Sequence, residues 1–225
     1  MINVKLSKRL KDIADLVDKD SKIIDVGCDH ALLDIYLLKK NIIKKAIASD
    51  VNEGALNQAK RNIKLHNVKK ISVRLSDGLN DLKKEDDIDT IVISGLGDKK
   101  IIDILNNDKD KLKDIKLIII QSNTNPYNVR RYLSLNGYKI EDEKLILENN
   151  IIYTIIKFKK QFKKYSKKEL FFGPILLKNK NDLFNKNIQN IIDKNNNILK
   201  MLPKRMFIKK IKIKYNNIKL KKEMK

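Results

Sequence analysis

Three carboxylates stand at the ends of three short apolar runs in the N-terminal half of the chain. Asp25 follows Ile23-Ile24, Asp50 follows Ala46-Ile47-Ala48-Ser49, and Asp77 follows residues 71–76. A carboxylate offers two acceptor oxygens, and strands of an α/β sheet deliver such groups to one edge, where ligands bind. Asp25 runs into Gly27 and Asp77 into Gly78, residues that let the backbone approach a ligand closely. The natural assignments are Asp25 to the loop or to a cationic amino group, Asp50 to a pair of ribose hydroxyls, and Asp77 to the exocyclic amine of an adenine ring. Singly, an acid at a strand end is most often a turn or cap residue. Three in this order point to a nucleoside site.

The loop Asp25-Val26-Gly27-Cys28-Asp29-His30-Ala31 discriminates between nucleoside cofactors. A dinucleotide site uses Gly-x-Gly-x-x-Gly to bring a pyrophosphate to a helix N-terminus. Here only the first glycine is present, and Asp29 stands where a phosphate would approach. A nicotinamide-dependent dehydrogenase is therefore disfavoured, and a donor carrying a sulfonium cation, S-adenosylmethionine, fits better.

Elements must hold these residues in place. Leu6, Leu10, Ile13 and Val17 have helical spacing and predict an amphipathic helix over about residues 3–18. From there short apolar runs alternate with helical patterns as far as about residue 136, the pattern of buried parallel strands in a doubly wound α/β sheet. Residues 138–147 and 151–158 read as two consecutive strands joined through Glu148-Asn149-Asn150, and so as an antiparallel hairpin at the sheet edge. A parallel sheet finished in this way resembles the class I S-adenosylmethionine-dependent methyltransferase fold. The expected organisation is a Rossmann-like domain over residues 1–158 and a helical, coiled-coil-like extension over 159–225. Its two helices, about 180–201 and 204–222, would join through Leu183, Ile188, Ile191, Ile192, Leu199 and Leu202 on one side and Ile208, Ile211, Tyr215 and Ile218 on the other.

Charge divides the chain at the same place. The formal net charge is +22, and residues 157–225 hold 22 of the 50 basic residues but only four of the 28 acidic ones, a net +18. So steep an asymmetry marks the C-terminal third as a surface for a polyanion, with nucleic acid the leading candidate. No run is long and apolar enough for insertion into a membrane, and no secretory leader is evident. The single cysteine, Cys28, excludes an internal disulfide and a Cys-rich zinc site. A cytoplasmic, metal-free monomer is expected.

Specific stretches then resemble one family, the bacterial TrmK enzymes that methylate N1 of adenine 22 in tRNA. They are Leu6-Ser7-Lys8-Arg9-Leu10, the Asp25–Ala31 loop, Arg74-Leu75-Ser76-Asp77-Gly78-Leu79, Ser94-Gly95-Leu96-Gly97, Gln121-Ser122-Asn123 and Phe172-Gly173-Pro174. The family reads Gly-Met-Gly-Gly where this chain has Gly95-Leu96-Gly97-Asp98, Gln-Pro-Asn where it has Gln121-Ser122-Asn123, and Tyr-Leu-Pro where it has Leu32-Leu33-Asp34. Asp98 is expected to cap the helix that follows.

The resemblance implies S-adenosylmethionine as cofactor, held by Asp25, Gly27, Asp29, His30, Asp50, Asp77, Gly78 and Gly95, and tRNA as partner. Asn123 would meet the Watson-Crick edge of the base with Gln121 behind it, and Gly97 would let the flat base slide past the backbone. His30 serves as a loop or a substrate contact. Arg130 and Arg131 would extend the phosphate path. Asp29 is the candidate for meeting the charge that develops on the ring, or else a scaffold of the loop. Two readings stand beside this one: methylation of another RNA position, and a non-catalytic RNA-binding protein on a decayed methyltransferase domain, with Asp34 and Asp98 as the marks of decay.

Overall fold

The computed structural model describes residues 4–224. Five strands, β1 (Ser21–Val26), β2 (Ile43–Asp50), β3 (Ile71–Leu75), β4 (Thr90–Leu96) and β5 (Leu117–Ser122), are parallel. The hairpin β6 (Tyr138–Glu148) and β7 (Ile151–Lys160) completes the sheet in the order β3-β2-β1-β4-β5-β7-β6, with β7 antiparallel to both neighbours. The strand order reverses between β1 and β4, so a crevice opens at their carboxyl ends. The central strands are apolar on both faces because helices cover both: Ile91, Val92, Ile93, Ile118, Ile119 and Ile120 are all buried.

Helix α1 (Lys8–Ala14) precedes the first strand, and α2 (Leu32–Lys39), α3 (Glu53–Leu65), α4 (Asp98–Asn107) and α5 (Pro126–Leu135) lie between strands. The first is shorter than its periodicity suggests. Ser7 accepts from the Leu10 amide and starts it there, and the Asp15 amide closes it on Ile13 and Lys11. Residue 3, the expected start, lies outside the described residues.

The chain forms two compact units, residues 1–175 and 176–225. The division falls later than residue 158 because the next segment is tied to the first unit. Tyr165 packs on the main core and its hydroxyl accepts from the Ile140 amide at 2.8 Å, and Leu170 in α6 (Lys167–Phe172) is buried. A short helix, α7 (Pro174–Lys178), follows, and in the second unit α8 (Asp182–Met201) and α9 (Phe207–Glu223) lie side by side. Lys180 pairs with Glu223 at 3.6 Å, and the Asn217 amide bridges Asn195 and Asn196 at 2.7 and 3.0 Å.

The seam differs from the expected one. Ile208, Ile211, Tyr215 and Ile218 are exposed, whereas Asn217 and Leu220 are buried and Lys210 and Ile213 partly so. Residues 210, 213, 217 and 220 follow the same helical period as the apolar row, on a different face. Of the expected seam, Ile188 and Ile192 on the first of these helices are buried, whereas on the second the row of Ile208, Ile211, Tyr215 and Ile218 gives way to Asn217 and Leu220.

Candidate active site

A cavity of about 340 Å³ opens at the switch point, lined by the ends of β1, β2 and β4 and by the loop after β3. Ligand pockets commonly have volumes of this order. Asp25 lies at its floor. The side chain is buried, one of its oxygens has no hydrogen-bond partner among the described residues, and burial, followed by the nearby charges of Asp50 and Asp29, pushes its pKa up to about 7. Such a carboxyl is poised to ionise when a cation arrives.

The next residues turn sharply. Gly27 has φ +73°, and its amide and that of Cys28 donate to the Ser49 carbonyl at 2.8 and 3.0 Å, tying the loop to β2. Asp29 and Ala31 also have positive φ, 50° and 55°, an uncommon state for side-chain-bearing residues. Asn62 on α3 fixes the turn by donating to the His30 carbonyl at 3.0 Å. The Asp29 side chain is 79 % exposed at the rim, with one oxygen 3.4 Å from His30 Nε2. Cys28 is buried, and desolvation, with the surrounding carboxylates, pushes its thiol up, so it is inert as a nucleophile.

Asp50 ends β2, and one oxygen accepts from the Asn52 amide at 2.9 Å. Its other oxygen has no protein partner among the described residues, as a ribose ligand requires. Asp77 lines the cavity too, but Lys100 of α4 holds one of its oxygens at 2.9 Å. Gly78 has φ +66°, and a Cβ there would stand 3.0 Å from Ile104. A side chain there would add backbone strain and crowd Ile104.

Across the crevice, β4 carries a bulge. Ser94 pairs with Gln121 and Leu96 with Ser122, leaving Gly95 (φ +80°) outside the ladder. Side chains from β5 satisfy the freed backbone. Gln121 Oε1 accepts from the Gly95 amide at 3.0 Å, and Asn123 Nδ2 donates to the Gly95 carbonyl at 2.5 Å. Gly97 caps α4, and Asp98 begins it, bonded to Thr124 and, at 2.6 Å, to Asn128. Burial raises the Asp98 pKa, but those donors and the helix-start amides outweigh it, so the group sits below the ordinary carboxylate range. It joins the loops after β4 and β5 as a helix-start anion.

Asp34 is fully buried on α2 with neither oxygen bonded among the described residues, and burial, then Asp25, pushes it well above the usual range. It is held neutral beneath the loop.

Two assignments change. Arg130 does not reach a substrate. Its Nε donates to Glu143 at 2.6 Å, its Nη1 reaches the Leu170 and Phe171 carbonyls at 3.2 Å, and the side chain is 1 % exposed. Arg131, its neighbour on α5, is exposed. Conversely, Arg9 on α1 enters the cavity wall and donates to Gln121 at 2.9 Å. The sequence signal for it was the Leu6–Leu10 stretch, read only for its apolar spacing and family likeness.

The residues present suit S-adenosylmethionine: an unbonded buried carboxyl at the floor, a carboxylate with an available oxygen at the end of β2, and acids where a dinucleotide would need to place phosphates. Among the described residues no group of three or more His, Cys, Asp or Glu could hold a metal ion, and no helix is long and apolar enough to cross a membrane.

Comparison with known proteins gives the same picture. The family model described as tRNA (adenine(22)-N(1))-methyltransferase matches residues 23–224. The enzyme of that name from Bacillus subtilis is 34 % identical over 157 residues, covering 69 % of this chain and 66 % of the relative's length. Among solved structures, Mycoplasma capricolum TrmK in complex with S-adenosyl-homocysteine superposes with a TM-score of 0.85 at 32 % identity, covering 98 % of this chain and 99 % of that one. The S-adenosyl-L-methionine complex of Streptococcus pneumoniae Sp1610 gives 0.91 at 30 % identity, over 98 % and 100 % of the two chains.

Proposed function

The chain belongs to the TrmK family of tRNA (adenine(22)-N(1))-methyltransferases, and from that premise we propose that it methylates N1 of adenine 22 in tRNA, using S-adenosylmethionine. The observation that carries this is the cavity at the switch point, where Asp25, Asp50 and Asp77 converge around the Gly27 turn. When bound, the cofactor supplies an electrophilic methyl group on a cationic sulfur. Asp25 faces positive charge from the floor, Asp50 takes the ribose, and the Gly78 corner leaves room for the ring beside Asp77.

Adenine N1 has a free lone pair, so no residue has to deprotonate it before transfer. The chain contributes mainly by positioning the base and by meeting the positive charge the ring acquires. Asp29 is the exposed carboxylate at the rim and serves that charge, either directly or by accepting a proton from the amine. Replacing it with Ala is expected to lower single-turnover transfer about 100-fold while changing cofactor affinity far less. Full transfer by the variant would leave Asp29 as loop scaffolding only, a role its positive φ and its contact with His30 also suit.

N1 lies on the pairing edge, so the adenine must leave its stack to enter the cavity. Residues 176–225 carry 15 Lys or Arg against three acids, and we assign to them the sequence-independent phosphate contacts that hold folded tRNA during this step. Arg131 adds to the path. A chain ending at Ile175 keeps the first unit whole. It is expected to retain cofactor binding, to bind tRNA at least about tenfold more weakly at 0.1 M salt, and to show a flatter dependence of affinity on salt. Equal tRNA affinity and slope for both chains would remove the role of the second unit.

A further inference from the structure

Four hydrogen bonds at the β4 and β5 ends form a directed chain. An Arg guanidinium and a backbone N–H can only donate. Arg9 Nη1 and the Gly95 amide both reach Gln121 Oε1, at 2.9 and 3.0 Å, so the oxygen of that amide must point at them. Gln121 is fully buried and has no alternative orientation. Its Nε2 therefore faces Asn123, whose Oδ1 accepts at 3.0 Å, and Asn123 Nδ2 in turn donates to the Gly95 carbonyl. The orientation of Asn123 is thus set two side chains away.

Arg9 is itself held firmly. Its amide donates to Glu148 Oε1 at 3.0 Å, its guanidinium lies 5.3 Å from the centre of the Tyr153 ring, and its Nε is 3.9 Å from Glu148. The chain ends at an exposed group, for Asn123 reaches solvent beside the cavity wall formed by Ser94, Gly95 and Leu96.

We infer that Arg9 and Gln121 are positioning residues that lock Asn123 as a hydrogen-bond acceptor, so that Asn123 Oδ1 and the Gly95 carbonyl together read the exocyclic amine next to the attacking ring nitrogen. This rests on the methyltransferase reading above and deepens it. Each oxygen uses one lone pair inside the protein and keeps a second. Two acceptors side by side suit an amine, which has two hydrogens to give, and repel the carbonyl that guanine carries at the same ring position. The base-selecting element is then the pair of acceptors, and adenine is chosen over guanine before transfer begins.

The test uses unmodified tRNA transcripts bearing either adenosine or purine riboside at the target nucleotide. Purine riboside keeps the N1 lone pair and lacks the amine. For each protein the ratio of kcat/KM on the two substrates is measured, so that the intrinsic difference in nucleophilicity cancels between variants. The ratio is expected to fall at least about tenfold in Asn123→Ala. It should fall as far in Gln121→Glu, whose second oxygen turns the Asn123 amide round to present N–H, while its charge is met by Arg9. Arg9→Met, which leaves the Gly95 amide as the only anchor, should show a smaller fall. Cofactor affinity and thermal unfolding report whether each variant is intact.

A ratio unchanged in Asn123→Ala or in Gln121→Glu, with transfer to adenosine still measurable, overturns the relay and leaves the enzymatic reading standing. Failure of the wild-type protein to methylate adenosine at that position overturns the reading itself.

Discussion

Replacing Arg130 with Met lowers the free energy of unfolding by about 3–5 kcal/mol, because it removes the cation that faces a buried carboxylate. Glu143 is fully enclosed; its Oε1 accepts from Arg130 at 2.6 Å and its Oε2 from the Ile175 amide at 3.0 Å. Burial lowers the Arg130 pKa, and the charge of Glu143 and its hydrogen bond oppose that. Gly173, with φ +93°, passes over the same carboxylate, and any Cβ there would collide with it. Gly173 of the Phe172-Gly173-Pro174 stretch is therefore required by the ion pair.

Denaturant unfolding of Arg130→Met measures the loss. The double variant Arg130→Met/Glu143→Leu should recover most of it, since an apolar pair of similar volume replaces a buried ion pair with little cost. A loss below about 1 kcal/mol in the single variant would mean that Glu143 finds other partners and the knot is not a source of stability. Folded Arg130→Met should bind tRNA as the wild type does, in keeping with a side chain that never reaches solvent.

The second large effect belongs to Asp50. Its substitution by Ala removes the acceptors meant for the ribose hydroxyls, and hydrogen bonds to a charged group contribute about 1.5–3 kcal/mol each. Cofactor affinity should fall about 100-fold or more, read by calorimetry. The same substitution changes the pH dependence, and the sign follows from Asp25. In the ligand-free site Asp25 titrates near 7, well above its value of about 4 in an unfolded chain, so the native state holds an extra proton between these values. Stability falls as pH rises through that window.

A cationic ligand favours the carboxylate, so binding expels the proton and affinity should rise as pH increases through about 7. Asp50 is the charged neighbour that most raises Asp25 after burial. Removing it should shift the rise in affinity to lower pH. Affinity independent of pH in the wild type would mean that Asp25 does not face the positive charge of the cofactor.

The sheet and the strand-end acids were legible because buried parallel strands are short, apolar and punctuated by polar turns, and because the carboxyl end of a strand is where such a fold presents side chains. What escaped depends on one-residue slips. In β6 the pairing passes from Ile140 opposite Phe158 to Asp142 opposite Lys157, and that bulge turns Glu143 inward where simple alternation from Ile140 would bury Asp142. Without the bulge in view, Arg130 reads as a free surface cation. The Gly95 bulge hides the relay in the same way, since nothing in Gln121-Ser122-Asn123 says which backbone groups are left for those amides. In α9 two faces share one period, and composition alone favours the isoleucines that the structure leaves exposed.

The most direct measurement is to incubate unmodified tRNA with the protein and methyl-labelled S-adenosylmethionine, and then to map the labelled nucleotide by mass spectrometry. The expected product is 1-methyladenine at position 22 alone, formed by the wild type and strongly reduced in Asp50→Ala. Label on another nucleotide, or none despite cofactor bound in the cavity, would contradict the assignment of this site to N1 methylation of adenine 22.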